Sequence, residues 1–290
     1  MYLFLDVDGT IINYHAETPA SALEALKKAQ QNGHQLIVCT GCSECEIEGR
    51  KIGVNFDGII GGNGCYVRLH DEVIHHSPLT LEQCTHFVDW CKSRGLAFRL
   101  ECNGGMYISS DYEVKSRKAR MQYVAGNENG KGYLPPLKEW MIEGENLYRD
   151  DVNKTAFVLN SYQDYLDAKE EFSDLIVDTW GGKDEMALYG AVRREADKKS
   201  SIEMLMNHCN IQKEDMIAFG DGVVDLPMFE ACGNSVAMGN GNEIVKDAAT
   251  YITDDVDADG LYNAFQHFGL LGESNEKTGE WNSRNIFIDF

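Results

Sequence analysis

The sequence predicts an α/β protein whose parallel sheet is interrupted by an inserted α+β domain. Short apolar runs alternate with helical patterns towards both ends of the chain, which is typical of a parallel sheet with helices on its faces. Residues 97–190 instead mix short strand-like and helix-like stretches with glycine-rich breaks. A chain of 290 residues is long enough for two domains of ordinary size. We therefore predict a core formed by residues 1–78 and 194–290 and an inserted domain at 79–193.

Three buried strands are predicted before the insertion: Tyr2–Leu5, Leu36–Cys39 and Asp57–Ile60. Each is a short apolar run that ends at a polar residue or a glycine. A helix is predicted between the first two strands, because Thr18 can cap it, Pro19 suits its first turn and Gly33 can end it. The apolar residues of this helix share one face: Leu23, Leu26 and Ala29.

Hairpin-like stretches follow at Cys65–Leu69 and Val73–His76, and a helix near Leu81–Lys92 comes next. Glycines break the inserted stretch at three places: Gly104–Gly105, Gly126–Gly132 and Gly181–Gly182. From Asp197 helices and strands alternate again: a helix at Lys198–His208, a strand at Met216–Phe219, a helix from about Asp225, a strand at Ser235–Met238 and a helix near Asp257–Phe268. The tail at 272–290 has no predicted place.

The chain is strongly acidic, with 26 basic against 47 acidic residues and a net charge of −21. Such a surface repels nucleic acid and anionic membranes, so neither is an expected partner. It also repels a phosphorylated small molecule at long range, so a site for one must supply local positive charge. No apolar run reaches the roughly 18 residues of a membrane helix, and an acidic motif at position 6 leaves no room for a signal peptide. We expect a cytoplasmic monomer or homodimer.

The nine cysteines are interpreted as reduced thiols of such a compartment. Cys39, Cys42 and Cys45 lie three residues apart, but no fourth ligand follows at the spacing of a zinc site. A zinc site is therefore not expected.

The most informative motif is Asp6-Val7-Asp8-Gly9-Thr10, directly after the first strand. Two carboxylates one residue apart suit phosphate chemistry. One can attack phosphorus and carry the phosphoryl group as an aspartyl phosphate. The other can give a proton to the leaving oxygen and later take one from water.

Three further elements join this motif. Thr40 follows the second strand, Lys198 opens a helix behind Asp197, and Gly220-Asp221-Gly222-Val223-Val224-Asp225 follows a late strand. Each is weak alone, since carboxylates in turns and lysines on helices are common. Because ligands bind beyond the carboxyl ends of parallel strands, these side chains can converge on one site.

Together and in this order, the four elements resemble the haloacid dehalogenase superfamily of phosphohydrolases. An insertion between the third strand and Lys198 is similar to the Cof-type branch, which Asn63-Gly64 and Ala237-Met238-Gly239-Asn240 also resemble. The resemblance covers residues 1–270. It implies a Rossmann-like parallel sheet core with a large α+β cap domain, and a phosphatase acting on a small phosphorylated metabolite of the sugar phosphate class.

The resemblance also implies a role for each motif residue. Asp6 would be the nucleophile and Asp8 the general acid and base. Mg²⁺ would be held by the Asp6 and Asp221 carboxylates and the Asp8 main-chain carbonyl, with Asp225 as a ligand or as the partner of a water on the metal. Lys198 would neutralise charge on the phosphoryl group and on Asp6. The remaining residues implied in phosphate binding are Thr40, which would donate its hydroxyl, and Gly41, Gly9, Thr10, Asn63 and Asn240.

Two positions depart from the family pattern. Cys42 stands where the Cof-type branch usually has an arginine after Thr-Gly, which removes a cation from near the substrate. Val224 stands where an asparagine usually precedes the last aspartate, which removes a polar contact. Since neither change touches the acidic motif, we interpret them as shifting substrate choice or lowering turnover.

Two other functions stay open. A phosphomutase on the same core would need the aspartyl phosphate to outlive attack by water. A non-catalytic binder of a phosphorylated ligand would have kept the cleft and lost the chemistry, although the intact pair Asp6 and Asp8 argues against it. Further residues are weaker candidates for substrate contacts, and an ordinary solvated or packed role is favoured for each: Lys115, Arg117, Lys118, Arg120, His75, His76, Trp180 and Lys183.

Overall fold

The computed structural model of the chain describes residues 1–126, 141–180 and 184–272. Several predicted features lie outside the described residues: Lys183, the side chain of Arg120, the glycine-rich breaks within 127–132 and at 181–182, and the tail at 273–290. The strands are β1 Tyr2–Leu5, β2 Gln35–Cys39, β3 Gly58–Gly61, β4 Tyr66–Leu69, β5 Glu72–His76, β6 Phe98–Cys102, β7 Gly105–Ile108, β8 Met141–Glu143, β9 Val152–Val158, β10 Ile176–Trp180, β11 Tyr189–Arg193, β12 Met216–Gly220, β13 Asn234–Ala237 and β14 Tyr251–Ile252. The helices are α1 Ala20–Gln31, α2 Glu44–Arg50, α3 Leu81–Arg94, α4 Tyr112–Gly126, α5 Tyr162–Glu171, α6 Lys198–Cys209, α7 Leu226–Ala231, α8 Glu243–Ala248 and α9 Gly260–His267.

The first sheet has the strand order β14-β13-β12-β1-β2-β3-β4-β5. Its strands from β14 to β3 are parallel, and the β4–β5 hairpin adds two antiparallel strands at one edge. Leu3, Phe4 and Leu5 of the central strand β1 are fully buried, because helices cover both faces of the sheet. α1 and α9 pack on one face, and α6, α7 and α8 pack on the other. The predicted parallel core is confirmed.

The second sheet lies between β5 and α6 in the chain, where an α+β insertion is predicted. Its strand order is β10-β11-β9-β6-β7-β8, and every pair except β7–β8 is antiparallel. Aromatic side chains form much of its core against α3 and α5: Phe87, Trp90, Phe98, Phe157 and Phe172. The domain boundaries at 78/79 and 193/194 stay a prediction.

Several element ends differ from the prediction by one to three residues. α1 begins at Ala20 with Pro19 at the N-cap and no side-chain cap, so the capping role predicted for Thr18 is wrong because Thr18 lies one residue too early. α7 begins at Leu226, after a short 3₁₀ turn. α9 begins at Gly260 rather than Asp257, because Asp259 takes a left-handed conformation (φ 61°) just before it.

Candidate active site

Three polar residues lie directly beyond the carboxyl ends of neighbouring parallel strands. Asp6 follows β1, Thr40 follows β2 and Asp221 follows β12. Because β1 lies between β12 and β2, these side chains meet at one edge of the sheet. Lys198 reaches the same edge from the first turn of α6, which Asp197 caps. The convergence expected from strand order is therefore present.

Lys198 joins two carboxylates at the centre of this site. Its Nζ donates to Asp6 Oδ1 at 3.0 Å and to Asp225 Oδ1 at 2.6 Å. All three side chains are nearly excluded from solvent. Burial lowers the pKa of Lys198, but the charges of Asp6 and Asp225 outweigh burial and raise that pKa above its usual value. The ammonium group therefore stays protonated and fixes the Asp6 carboxyl group.

Asp6 and Asp221 are harder to ionise than ordinary aspartates. Burial and then the negative charge of Asp225 raise the pKa of Asp6 to about 8, against the lowering effect of Lys198. Burial raises the pKa of Asp221 to about 6, against a hydrogen bond from Tyr14 that lowers it. The carboxyl groups thus bring more negative charge than Lys198 neutralises, and an added cation would favour their ionised forms.

The oxygen atoms at this site fit a divalent cation. One oxygen from each of Asp6, Asp221 and Asp225 lies within 4.8 Å of the others. Carboxylate oxygens are the ligands that Mg²⁺ and similar hard cations take. Asp225 is the least available, because Oδ1 accepts from Lys198 and Oδ2 accepts from the amides of Asp221 at 3.1 Å and Gly222 at 2.9 Å. Asp6 and Asp221 are the better placed to hold a cation directly.

The Asp221 carboxylate is fixed by its neighbours. Its Oδ2 accepts from Tyr14 Oη at 2.6 Å and from Asn240 Nδ2 at 3.2 Å. Asn240 also donates to the Gly9 carbonyl at 2.8 Å and accepts from the Val256 amide at 2.9 Å. Sequence reasoning missed Tyr14. The phosphate contact expected of Asn240 stays a prediction, and its hydrogen bonds show that it also orients Asp221.

A cleft of about 960 Å³ opens over the site. It is lined by seven of the predicted site residues: Asp6, Asp8, Thr40, Gly41, Asn63, Lys198 and Asp221. Gly9, Thr10, Asn240 and Asp225 are not among the residues that line it. The phosphate contacts expected of Gly9 and Thr10 stay predictions. Thr10 is fully buried, and its hydroxyl has no hydrogen-bond partner among the described residues.

Asp8 has a partner that sequence reasoning missed. The guanidinium of Arg50, the last residue of α2, donates to both carboxylate oxygens of Asp8, with Nη2 3.1 Å from Oδ2. The same Nη2 lies 3.4 Å from Cys42 Sγ. Burial and then the charge of Glu46 raise the pKa of the Cys42 thiol to about 12, so Cys42 is neutral at ordinary pH. Arg50 therefore places a positive charge next to Cys42, the position at which the Cof-type branch usually has an arginine.

The inserted stretch forms the opposite wall of the cleft with charged, polar and aromatic side chains: Arg99, Glu101, Lys154, Tyr165, Asp178, Thr179, Trp180 and Arg193. Two residues of β9 cross to the core. Lys154 Nζ donates to the Gly41 carbonyl at 2.9 Å, and Asn153 Nδ2 donates to Ser43 Oγ at 2.9 Å. The loop after β2 is thereby held between the two sheets.

The weaker candidates for substrate contacts differ in whether they line the cleft. Trp180 lines the cleft, whereas His75 and His76 lie on the edge strand β5 and do not line it. Three basic residues of α4 lie outside the cleft lining as well: Lys115, Arg117 and Lys118. Within the described residues, potential metal ligands converge at the aspartates and not at the three closely spaced cysteines. Of the helices that the structure describes, none has the length and apolar character needed to span a bilayer.

Known proteins share this sequence and fold. A family model for haloacid dehalogenase-like hydrolases matches residues 3–265. The putative phosphatase YkrA of Bacillus subtilis (strain 168) is 24% identical over 275 residues, which cover 93% of this chain and 98% of YkrA. Phosphatase YwpJ of the same organism is 23% identical over 289 residues, which cover 91% of this chain and 98% of YwpJ.

The solved structure of the HAD subclass IIB sugar phosphatase BT4131 matches with a TM-score of 0.66 at 23% identity, over 93% of this chain and 99% of that one. This likeness extends across both sheets and supports the assignment of the fold. Since the family model matches nearly the whole chain and its relatives are named as phosphatases, the protein belongs to the Cof-type branch of the haloacid dehalogenase superfamily and is a phosphatase.

Proposed function

We propose that this phosphatase hydrolyses monoesters of small phosphorylated metabolites, of the sugar phosphate class, with Mg²⁺ and through an aspartyl phosphate on Asp6. The observation that carries the proposal is the buried contact of Lys198 Nζ with Asp6 Oδ1 at 3.0 Å, where Asp6 converges with Asp221 and Asp225. Lys198 on one side of this carboxylate, together with a cation that the aspartates would hold on the other, would offset the repulsion between the nucleophile and an anionic phosphate ester.

In the first half of the reaction, an Asp6 oxygen forms a bond to phosphorus and the bond from phosphorus to the ester oxygen breaks. Asp8 gives its proton to that departing oxygen. Lys198 and the Thr40 hydroxyl hold the phosphoryl oxygens so that attack occurs in line. Since phosphoryl transfer depends chiefly on positioning and electrostatics, these few groups account for much of the rate.

In the second half, a water oxygen forms a bond to phosphorus and the bond between phosphorus and Asp6 breaks. Asp8, now a carboxylate, takes the proton of that water. Inorganic phosphate and the original Asp6 carboxylate result. The same residue therefore serves as acid and then as base, and its exposed position in the cleft lets it reach the ester and then water.

The cation would be held by Asp6 and Asp221, with the main-chain carbonyl of Asp8 as a further oxygen. When bound there, Mg²⁺ supplies positive charge to the phosphoryl oxygens and to the nucleophile. Tyr14 and Asn240 hold Asp221 in the orientation that this requires.

The wall opposite the aspartates supports a sugar-like leaving group. Trp180 is 38% exposed and stacks on Tyr189 with ring centroids 3.9 Å apart. Asp178, Thr179 and Arg193 line the cleft with it. An aromatic face beside hydrogen-bonding groups matches a polyhydroxylated molecule, which offers both C–H faces and hydroxyls. BT4131, which shares the fold, is itself described as a sugar phosphatase.

The test compares wild type with Asp6→Asn on p-nitrophenyl phosphate, with Mg²⁺ and with EDTA. We expect Mg²⁺-dependent release that falls by about 10³-fold or more in Asp6→Asn. Asp174→Asn, at an exposed position outside the cleft, is the matched control and keeps wild-type rates.

The same wild-type protein is then assayed for free phosphate on sugar phosphates, nucleotides and phosphorylated cofactors. Highest turnover is expected on a sugar phosphate. Phosphate binding without turnover in wild type would instead identify a binder. Movement of the phosphoryl group between two positions of one sugar would identify a mutase.

A further inference from the structure

Arg50 lines the cleft, although it belongs to none of the motifs that the sequence analysis identified. Ser43 and Glu46 form a capping box that begins α2, and Asn153 anchors Ser43 to β9. Arg50 is the last residue of this short helix, and its side chain is only 22% exposed. The helix is thus fixed at its start, and its end delivers a guanidinium to the edge of the sheet where the aspartates converge.

Arg50 contacts Asp8 through two hydrogen bonds, one to each carboxylate oxygen. Nη1 donates to Oδ1 and Nη2 donates to Oδ2 at 3.1 Å. A guanidinium that engages both oxygens fixes the plane of a carboxylate as well as its position. The Asp8 side chain is itself 56% exposed, so an isolated ion pair there would add little to stability. The ion pair between Arg50 and Asp8 therefore serves mainly to orient the Asp8 carboxylate.

The other cations that line the cleft have different tasks. Lys198 is taken up by Asp6 and Asp225. Elsewhere in the cleft lining, Lys154 and Arg99 contact Glu101, and Arg193 contacts Asp178. Among the described residues that line the cleft, Arg50 is thus the cation placed on the carboxyl group that would transfer the proton.

We propose that Arg50 is a positioning residue for Asp8, and that it holds the carboxyl group facing the ester oxygen during proton transfer. This inference rests on the proposed function. For this step one Asp8 oxygen releases its contact with Arg50 and carries the proton, while the other oxygen keeps its contact. The proton then moves to the departing oxygen as the phosphorus–oxygen bond breaks, and Asp8 later takes one proton from water. Arg50 transfers nothing itself. Its effect is therefore largest for esters whose leaving group depends on receiving a proton.

Two esters of nearly the same shape isolate this effect. p-Nitrophenolate is a weak base and departs without a proton, whereas phenolate is a stronger base and benefits from one. The variants are Arg50→Met, which keeps the aliphatic stem, and Arg50→Lys, which keeps the charge. Lys51→Met is the matched control, because Lys51 is the next residue, is exposed and lies outside the cleft lining.

In Arg50→Met we expect kcat/KM to fall about tenfold further on phenyl phosphate than on p-nitrophenyl phosphate, which is less than the roughly 10²–10⁴-fold that a general acid contributes because Asp8 itself is still present. The loss is expected in kcat rather than in KM. Arg50→Lys recovers part of the difference, and Lys51→Met changes the rate on neither ester. Asp8→Asn shows selectivity in the same direction as Arg50→Met and at least as large. Thermal unfolding of Arg50→Met stays close to that of wild type.

Equal losses on both esters, in an otherwise active enzyme, would overturn the role of Arg50 and leave the proposed function standing. A rise in KM for both esters would make Arg50 a phosphate contact instead. A fall in the unfolding temperature that accounts for the lost activity, with no recovery in Arg50→Lys, would make it structural. If wild type with Mg²⁺ hydrolyses neither ester, the proposed function fails first and this inference fails with it.

Discussion

The Asp221 carboxylate can take its position only because Gly9 has no side chain. Its φ of +82° lies in the left-handed region, which a residue with a Cβ adopts only at a cost. A Cβ built on Gly9 would lie 2.2 Å from Asp221 Oδ2, well inside van der Waals contact. The turn of the acidic motif and the second carboxylate of the cation site therefore fit together only when this position is glycine.

For Gly9→Ala, we expect kcat/KM on p-nitrophenyl phosphate to fall about 100-fold, because Asp221 must shift by about 1 Å. The Mg²⁺ concentration for half-maximal rate should rise as well. The measurement is a Mg²⁺ titration of the hydrolysis rate. Gly104→Ala serves as the control, since a Cβ there meets nothing within 4 Å. A Gly9→Ala enzyme with unchanged rate and Mg²⁺ dependence would contradict this account.

Which residues could be predicted follows from how each reaches the site. Asp6, Thr40 and Asp221 directly follow apolar strands, and Lys198 opens a helix, so local pattern and chain order suffice. Tyr14, Asn153 and Arg50 act through packing between distant elements, which no local pattern encodes. Gly9, Thr10 and Asn240 belong to motifs that were predicted, and their phosphate contacts stay predictions. The hydrogen bonds of Asn240 to the Gly9 carbonyl and to Asp221 depend on the fold and could not be read from the motif.

At the scale of elements, the missed helix α2 explains the missed arginine. The apolar runs of β1, β2 and β12 predict strands directly, whereas Glu44–Arg50 is short, contains Gly49 and buries only Cys45 and Ile47. The capping box of Ser43 and Glu46 is the one local signal that would have found it. If that helix had been recognised, the prediction would have placed Arg50 near the loop after β2.

Strand β9 holds the inserted sheet against the core. The amide of Asn153 is 1% exposed, donates to Ser43 Oγ at 2.9 Å and to Asn103 Oδ1 at 2.7 Å, and its Oδ1 lies 2.8 Å from His76 Nε2. Each partner belongs to a different part of the chain. One buried amide therefore ties three segments together.

We expect Asn153→Ala to lower the free energy of unfolding by about 1–3 kcal/mol, because it leaves buried partners without their hydrogen bonds. Urea denaturation measures the change as a shift in midpoint. Asn160→Ala, at an exposed asparagine beyond the end of the same strand, should leave the midpoint in place. An equal midpoint for both variants would show that this amide is not a structural tie.

At the scale of the whole molecule, two charge distributions oppose each other. The net charge of −21 repels an anionic ester from a distance, while Arg50, Lys154 and Lys198 attract it within the cleft. The range of the repulsion depends on salt, since the screening length falls from about 30 Å at 0.01 M to about 10 Å at 0.1 M ionic strength.

We therefore expect kcat/KM for a sugar phosphate at low substrate concentration to rise about two- to fivefold over this range of ionic strength, with kcat nearly constant. The rise should be the same with sodium chloride and with tetramethylammonium chloride, which separates screening from sodium binding. A steady fall in kcat/KM with salt would mean that the local cations dominate the encounter as well as the bound state.

The two sheets supply different kinds of group to the cleft. Every group proposed to form or break a bond, or to hold the cation, comes from the first sheet and the segments that adjoin it, whereas the stretch at 98–193 supplies the facing wall. A lineage of such proteins can therefore exchange one metabolite for another through changes in that stretch alone, and inherit its hydrolytic machinery intact.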